Sequence, residues 1–272
     1  MSLSHLEVAP QISKNNAFWF DIDGTLKLPD QPIDERIWEA LYRLPHRSFN
    51  TRRGISKAID AFPPERATLP YIVYGGGEVW SNHTPIRAFV ISDKGKQELV
   101  ALIDLLNPPS VKANQAETGR GVCYLIDAAD QAEMEQKYKD RGLLLSIASD
   151  RGEFIRLIEN SAIVSVYIPA LARMFSSLPP MNVDHLQFDA VSEPGSAYIT
   201  AAGVNKLTTL EWVCEHQGIP LSSVVSAGDD PITDAVLFRS TYGISVGSDR
   251  LPYAREHVAD PEALATLLLA LR

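Results

Sequence analysis

Asn16-Ala17-Phe18-Trp19-Phe20-Asp21-Ile22-Asp23-Gly24-Thr25 is the stretch from which the rest of the chain can be read. Asn16 to Phe20 is apolar on both faces of an extended backbone, the pattern of a strand buried inside a parallel sheet. Two aspartates follow at once, and the carboxyl ends of parallel strands are where α/β folds gather their sites. D-x-D-G-T arises by chance in about one chain of this size in two hundred. Carboxylates this close resist joint ionisation unless a cation neutralises them or one keeps a proton. A hard divalent cation such as Mg²⁺ suits oxygen ligands and leaves room for a phosphate. The plain alternative is an Asx-type turn closed by Asp23-Gly24.

Outward from this stretch, strand and helix patterns alternate. Ile33, Ile37, Ala40, Leu41 and Leu44 recur at helical spacing over Pro32–Leu44, and a second helix is expected from about Thr51, ending at Pro63-Pro64. Tyr71–Tyr74 is strand-like and is broken by Gly75-Gly76-Gly77. From about His83 the texture changes. A strand (Ile86–Ile91), a helix (Lys94–Leu106), a strand (Val122–Ile126) and a helix (Gln131–Arg141) are expected. Strand-like runs follow at Leu143–Ala148, Phe154–Ile158, Ile163–Ile168, His185–Val191 and Ala197–Ala201, with a helix near Leu171–Ser177. Alternation returns after Gly203. Helices are expected at Lys206–His216, Pro231–Phe238 and Pro261–Leu271, and strands at Ser223–Ala227 and Gly243–Val246. The pattern is an α/β fold with a Rossmann-like parallel-sheet core, residues 1–82 and 201–272, interrupted by an inserted α+β module, residues 83–200.

Three further signals carry chemistry. Gly228-Asp229-Asp230-Pro231-Ile232-Thr233-Asp234 repeats the design of acids after an apolar strand, so Asp229 is a candidate metal ligand, although acids also cap helices. Lys206 opens its helix, where the dipole disfavours a cation unless an anion is bound there; an exposed lysine of no consequence is the alternative. Thr51 at another strand-to-helix junction either caps the helix or donates to a phosphate oxygen, and Arg52 and Arg53 beside it add positive charge. Gly243-Ile244-Ser245-Val246-Gly247 matches a nucleophile elbow in letters only, because Ser245 lies inside an apolar run.

Composition narrows the function classes. The 272 residues carry 25 Lys+Arg against 34 Asp+Glu, a net charge of −9, with 45% hydrophobic and 22% charged residues. That balance describes a globular chain and argues against a general nucleic-acid binder or docking on an anionic membrane. No apolar run approaches the roughly 20 residues that span a bilayer. Two cysteines, Cys123 and Cys214, make no disulfide framework, and a reducing, cytoplasmic setting is expected.

Taken in order, D-x-D-G-T, Thr51, Lys206 and the acidic loop from Gly228 resemble the motifs of the haloacid dehalogenase (HAD) superfamily. The inserted middle is similar to the α/β caps of its type IIB members. Gly203-Val204-Asn205-Lys206 looks like the Cof-type phosphatases, and Gly77-Glu78-Val79 like sucrose- and trehalose-phosphate phosphatases. Three positions depart from the pattern. Arg52 stands where Gly is usual, Leu207 follows the Lys where Gly is frequent, and the acid loop is one residue longer.

The resemblance implies a Mg²⁺-dependent phosphatase of a small phosphorylated metabolite, with a sugar phosphate preferred and neither nucleic acid nor membrane as partner. In that scheme Asp21 is the nucleophile and Asp23 the acid and base. Thr51 and Lys206 bind phosphate. Asp21, Asp23 (through its carbonyl) and Asp229 hold the metal, with Asp234 either joining them or orienting a bound water. Arg53 and Glu78 are candidate substrate contacts, a solvated glutamate being the alternative for Glu78. A phosphomutase using the same aspartates, or a low-turnover metal- or phosphate-binding regulator, would share these residues.

Overall fold

The computed structural model describes residues 12–108, 110–118, 121–125, 136, 145–169, 183–190 and 196–272. The core is a five-stranded, all-parallel sheet of β1 (Ala17–Phe20), β2 (His46–Phe49), β12 (Val224–Gly228), β13 (Tyr242–Val246) and β14 (Glu256–Val258), in the order β14-β13-β12-β1-β2. β1 is an interior strand, flanked by β12 and β2, and its side chains are buried and apolar on both faces. Phe18 and Phe20 pack with residues of α1 (Glu35–Tyr42) and α6 (Pro261–Leu269), among them Ile37, Leu41, Leu264 and Leu268. Ala17 and Trp19 turn the other way, against Leu210, Val213 and Cys214 of α5 (Lys206–Gln217). Trp19 is fully buried and still satisfies its indole, donating from Nε1 to the Pro70 carbonyl at 3.1 Å. Truncating it to alanine should cost about 3–5 kcal/mol.

β1 pairs with β12 in the register Phe20↔Ala227, and with β2 in the register Phe20↔Phe49. The Asp21 N–H still donates to Ala227 O, so the ladder delivers Asp21 directly beside the end of β12. α1 starts later than Pro32 because Asp34 caps it, its side chain accepting from Arg36 N. α2 (Ile55–Ala61) likewise starts four residues past Thr51, with Gly54 at its cap position.

Next to the core, β3 (Tyr71–Val73), β4 (Glu78–Ser81) and β5 (Thr84–Ala88) form a small antiparallel sheet. The cap region holds a six-stranded sheet ordered β10-β11-β9-β6-β7-β8. Its strands are β6 (Ser110–Gln115), β7 (Gly121–Leu125), β8 (Leu145–Ile147), β9 (Ile163–Ile168), β10 (Leu186–Ala190) and β11 (Ala197–Ala201). All its pairings are antiparallel except β7 with β8. α3 (Asp93–Leu106) and α4 (Arg151–Asn160) cover one face of this sheet, burying Leu99, Leu102, Phe154 and Ile158 against Val111, Val166 and Ile199.

α4 corrects the strand expected at Phe154–Ile158. Phe154 and Ile158 are one helical turn apart on the buried face, and Asp150 caps the helix by accepting from Glu153 N. β6 is a strand that hydrophobic patterning missed, because Lys112 and Asn114 alternate with Val111 and Ala113. The helix expected near Leu171–Ser177 lies outside the described residues, as does that at Gln131–Arg141 apart from residue 136. Among the described residues no helix is long and apolar enough to cross a membrane.

Candidate active site

The carboxyl ends of β1 and β12 bring three acids together. One oxygen from each of Asp21, Asp229 and Asp234 lies within 4.8 Å of the others. Their approach depends on Gly24, which has φ +78°; a Cβ there would overlap the Asp229 carboxylate. Thr25 Oγ1 donates to Asp229 Oδ1 at 3.1 Å, tying the first acid loop to the second.

Lys206 enters this cluster from the first turn of α5 and is 1% exposed. Its Nζ donates to Asp21 Oδ1 at 2.8 Å and to Asp234 Oδ1 at 2.6 Å. Asn205 anchors the helix start in a capping box, and Asn50 Nδ2 donates to the Lys206 carbonyl at 3.0 Å. The turn before β4 supports the same point: Gly76 (φ +110°) would place a Cβ 2.6 Å from the Asn205 carbonyl, and Thr209 Oγ1 donates to Gly76 O.

The helix expected at Pro231–Phe238 is absent. Residues 231–236 form successive turns, followed by a 3-10 turn over Leu237–Arg239. The cause is Asp234, whose Oδ2 folds back to accept from the N–H groups of Asp229 and Asp230 at 3.1 and 3.0 Å. With Oδ1 on Lys206, this fully buried carboxylate uses both oxygens within the chain.

Electrostatics divide the acids into two kinds. Burial, then the neighbouring Asp234 and Asp229 working against the pull of Lys206, pushes Asp21 up to about 7. Burial and Asp234 push Asp229 up to about 6. Lys206 is raised despite its burial, because Asp21 and Asp234 hold its proton. Asp23 and Asp230 go down instead. Burial opposes ionisation at both but is outweighed, at Asp23 by Arg53 with help from Lys27, and at Asp230 by Arg52 and the N–H groups of Thr233 and Ile232.

The two arginines following Thr51 therefore each hold one acid loop. Arg53 grips Asp23 through Nε and Nη2, and Arg52 Nη2 lies 3.1 Å from Asp230 Oδ2. Lys27 Nζ stands 3.5 Å from Asp23 Oδ1. Thr51 is buried and does not cap α2; its Oγ1 accepts from Arg53 N at 3.2 Å.

Glu78 differs from the sequence expectation. It is 0% exposed, raised to about 7 chiefly by burial, and both its oxygens are engaged within the chain. Oε2 accepts from Trp80 Nε1 at 2.7 Å and Oε1 from Glu117 N at 2.6 Å, so it clasps the β6–β7 turn. Asn50 and Lys27 were not among the expected site residues, and the pairing of Arg52 with Asp230, both of them within the quoted motifs, was not foreseen.

A family profile described as haloacid dehalogenase-like hydrolase matches residues 18–250. The chain belongs to that family. Its cap has the subclass IIB form. It superposes with a TM-score of 0.74 on a HAD subclass IIB sugar phosphatase, at 16% identity over 94% of this chain and 98% of that one. A haloacid dehalogenase-like hydrolase from B. subtilis superposes at 0.75, with 13% identity over 94% of this chain and all of the other. In sequence, a phosphoglycolate phosphatase from Pyrobaculum aerophilum is 27% identical over 133 residues, 47% of this chain and 51% of that protein. The match thus spans about half the length of this curated relative.

The acids fit the divalent cation that the family generally uses. Three carboxylates lie together with Lys206 bonded to two of them, and burial, reinforced by the neighbouring carboxylates, raises Asp21 and Asp229, a cost that a bound cation would relieve.

Proposed function

We propose that the protein is a phosphatase acting on a small phosphorylated metabolite, preferentially a sugar phosphate, through a phospho-aspartate at Asp21. The observation that carries this reading is the buried Asp21–Lys206–Asp234 arrangement with Asp229 beside it, at the ends of two adjacent parallel strands. Asp21 Oδ attacks phosphorus and the bond to the leaving oxygen breaks, that oxygen taking a proton from Asp23. Water then attacks the aspartyl phosphate and gives its proton to Asp23, releasing phosphate and regenerating Asp21.

Asp23 must hold a proton for the first step, yet Arg53 and Lys27 keep it ionised in the resting chain. An arriving phosphate is a better partner for Arg53 and frees Asp23 to be protonated, which is how Arg53 acts as a substrate contact. Lys206, shared between two carboxylates, and Thr51 orient the transferring oxygens. Mg²⁺, when bound, offsets the charge of the acids and the phosphoryl group. Asp21, Asp229 and the Asp23 carbonyl would hold it, with Asp234 joining them or orienting a bound water.

We take residues 1–82 and 201–272 as the core domain and 83–200 as the cap that excludes bulk water. The setting we infer is cytoplasmic, in keeping with the free, buried Cys214. The test is phosphate release from p-nitrophenyl phosphate with and without Mg²⁺. Activity that needs Mg²⁺ and disappears in Asp21→Asn is expected; full activity in Asp21→Asn would falsify the mechanism.

A further inference from the structure

The cap sheet has a second face that α3 and α4 leave uncovered, and its composition is unlike the first. Strand alternation puts Val111, Val166 and Ile199 on the helix-covered side and Lys112, Tyr167, Tyr198 and Asp189 on the other. These last four are direct cross-strand partners: Lys112↔Tyr167, Tyr167↔Tyr198 and Asp189↔Tyr198. They form one row across four strands, a cation, two phenols and a carboxylate. The tyrosine rings stand 5.0 Å apart, and the Tyr167 hydroxyl is fixed by Ser196 at 3.0 Å.

The Asp189 end of the row faces the core. Asp189 Oδ2 lies 3.9 Å, and Arg52 Cγ 3.7 Å, from the point where Gly75 would carry a Cβ. Arg52 is held on one side by Asp230, while its Nη1 is buried with no hydrogen-bond partner among the described residues. Lys206 and Arg52 are both close enough to draw the Asp189 proton off, although burial, the larger effect, leaves it at about 6. At pH 7.5 it is therefore charged, and it is only 8% exposed.

We propose that Asp189 is a specificity-determining residue. With Arg52 Nη1 and Tyr198 it forms the leaving-group subsite, which accepts an uncharged polyhydroxylated group and rejects one bearing a second anion. The chemistry follows from the groups present. A carboxylate accepts from one hydroxyl, a guanidinium donates to a neighbouring oxygen, and a tyrosine face covers the C–H side of a sugar ring. Among the described residues the cations beside Tyr198 are already engaged, Arg52 by Asp230 and Arg53 by Asp23, and Asp189 adds a buried negative charge, so a second carboxylate or phosphate is disfavoured there.

This inference rests on the phosphatase reading. The experiment measures kcat/KM of the full-length protein with Mg²⁺ at pH 7.5 for a hexose 6-phosphate and for 2-phosphoglycolate, with p-nitrophenyl phosphate as a general ester. Wild type is expected to favour the hexose 6-phosphate over 2-phosphoglycolate by at least about tenfold. Asp189→Asn should cut that ratio at least about tenfold, chiefly through KM, and the ratio is insensitive to partial loss of folded protein. A wild type that favours 2-phosphoglycolate overturns the proposal, as does a ratio moved less than twofold by Asp189→Asn. No release from any of the three esters overturns the phosphatase reading, and this inference with it, whereas hydrolysis without discrimination overturns the inference alone.

Discussion

The loop after β1 and the loop after β12 look alike on paper and behave alike in one unexpected respect. Each carries a carboxylate pushed up by burial, Asp21 or Asp229, and one pulled down by an arginine, Asp23 or Asp230. They differ in depth. The first loop leaves Asp23 43% exposed in its side chain, while the second buries Asp230 at 5% and Asp234 completely. Placement at a strand end thus gathers acids, but the cation each one meets decides what it can do. A carboxylate against Lys206 stays inside the cluster; one against Arg52 or Arg53 is withdrawn from it.

The hardest way to break this division is at Asp21. Asp21→Asn should lower phosphate release on the order of 10⁴-fold or more while leaving the melting temperature unchanged or higher, because a crowded buried charge is removed. A stopped assay for phosphate with a parallel thermal melt tests both halves. Lys206→Met should do the reverse to stability. It strands Asp21 and Asp234 without a counter-charge and should cost about 3–5 kcal/mol in urea unfolding.

A third prediction uses pH and metal together. Asp21 and Asp229 are raised above the ordinary 3.8, so between about pH 4 and 7 the native chain binds more protons than the unfolded one. Stability of the chelator-treated protein should therefore fall as pH rises through that window. Saturating Mg²⁺ should raise stability by about 2–3 kcal/mol at pH 8 and distinctly less at pH 5. A thermal shift of equal size at both values would contradict the assignment.

The smallest effects separate the two arginine pairs. Asp230→Asn leaves Arg52 partly buried and unpaired and should cost about 1–3 kcal/mol. Asp23→Asn, at a half-exposed pair, should cost under about 1 kcal/mol of stability while reducing turnover far more.

Much of this architecture was legible because its signal is local. Asn16–Phe20 is apolar throughout, α1 repeats at helical spacing, and the acids directly follow apolar strands. α4 was misread because Phe154-Ile155 and Leu157-Ile158 mimic a short apolar strand; the cap signal Asp150 with Glu153 was the better guide. β6 was missed for the opposite reason, since half its residues line a polar face. The failed helix at 231–238 and the buried clasp at Glu78 were beyond patterning altogether. Each depends on partners distant in sequence or on a side chain that captures backbone N–H groups, as Asp234 does.

The register Ala17↔Val224 also has a consequence for how the chain is made. β1 receives its neighbour β12 only after the intervening residues have been synthesised, and Asn16 Nδ2 reaches Ser223 O across a separation of 207 positions. At ordinary elongation rates of about 5–20 residues per second, that delay lasts about 10–40 s. During it one edge of the most apolar strand in the core has no partner, so nascent chains are most vulnerable to edge-to-edge association between the emergence of β2 and that of β12.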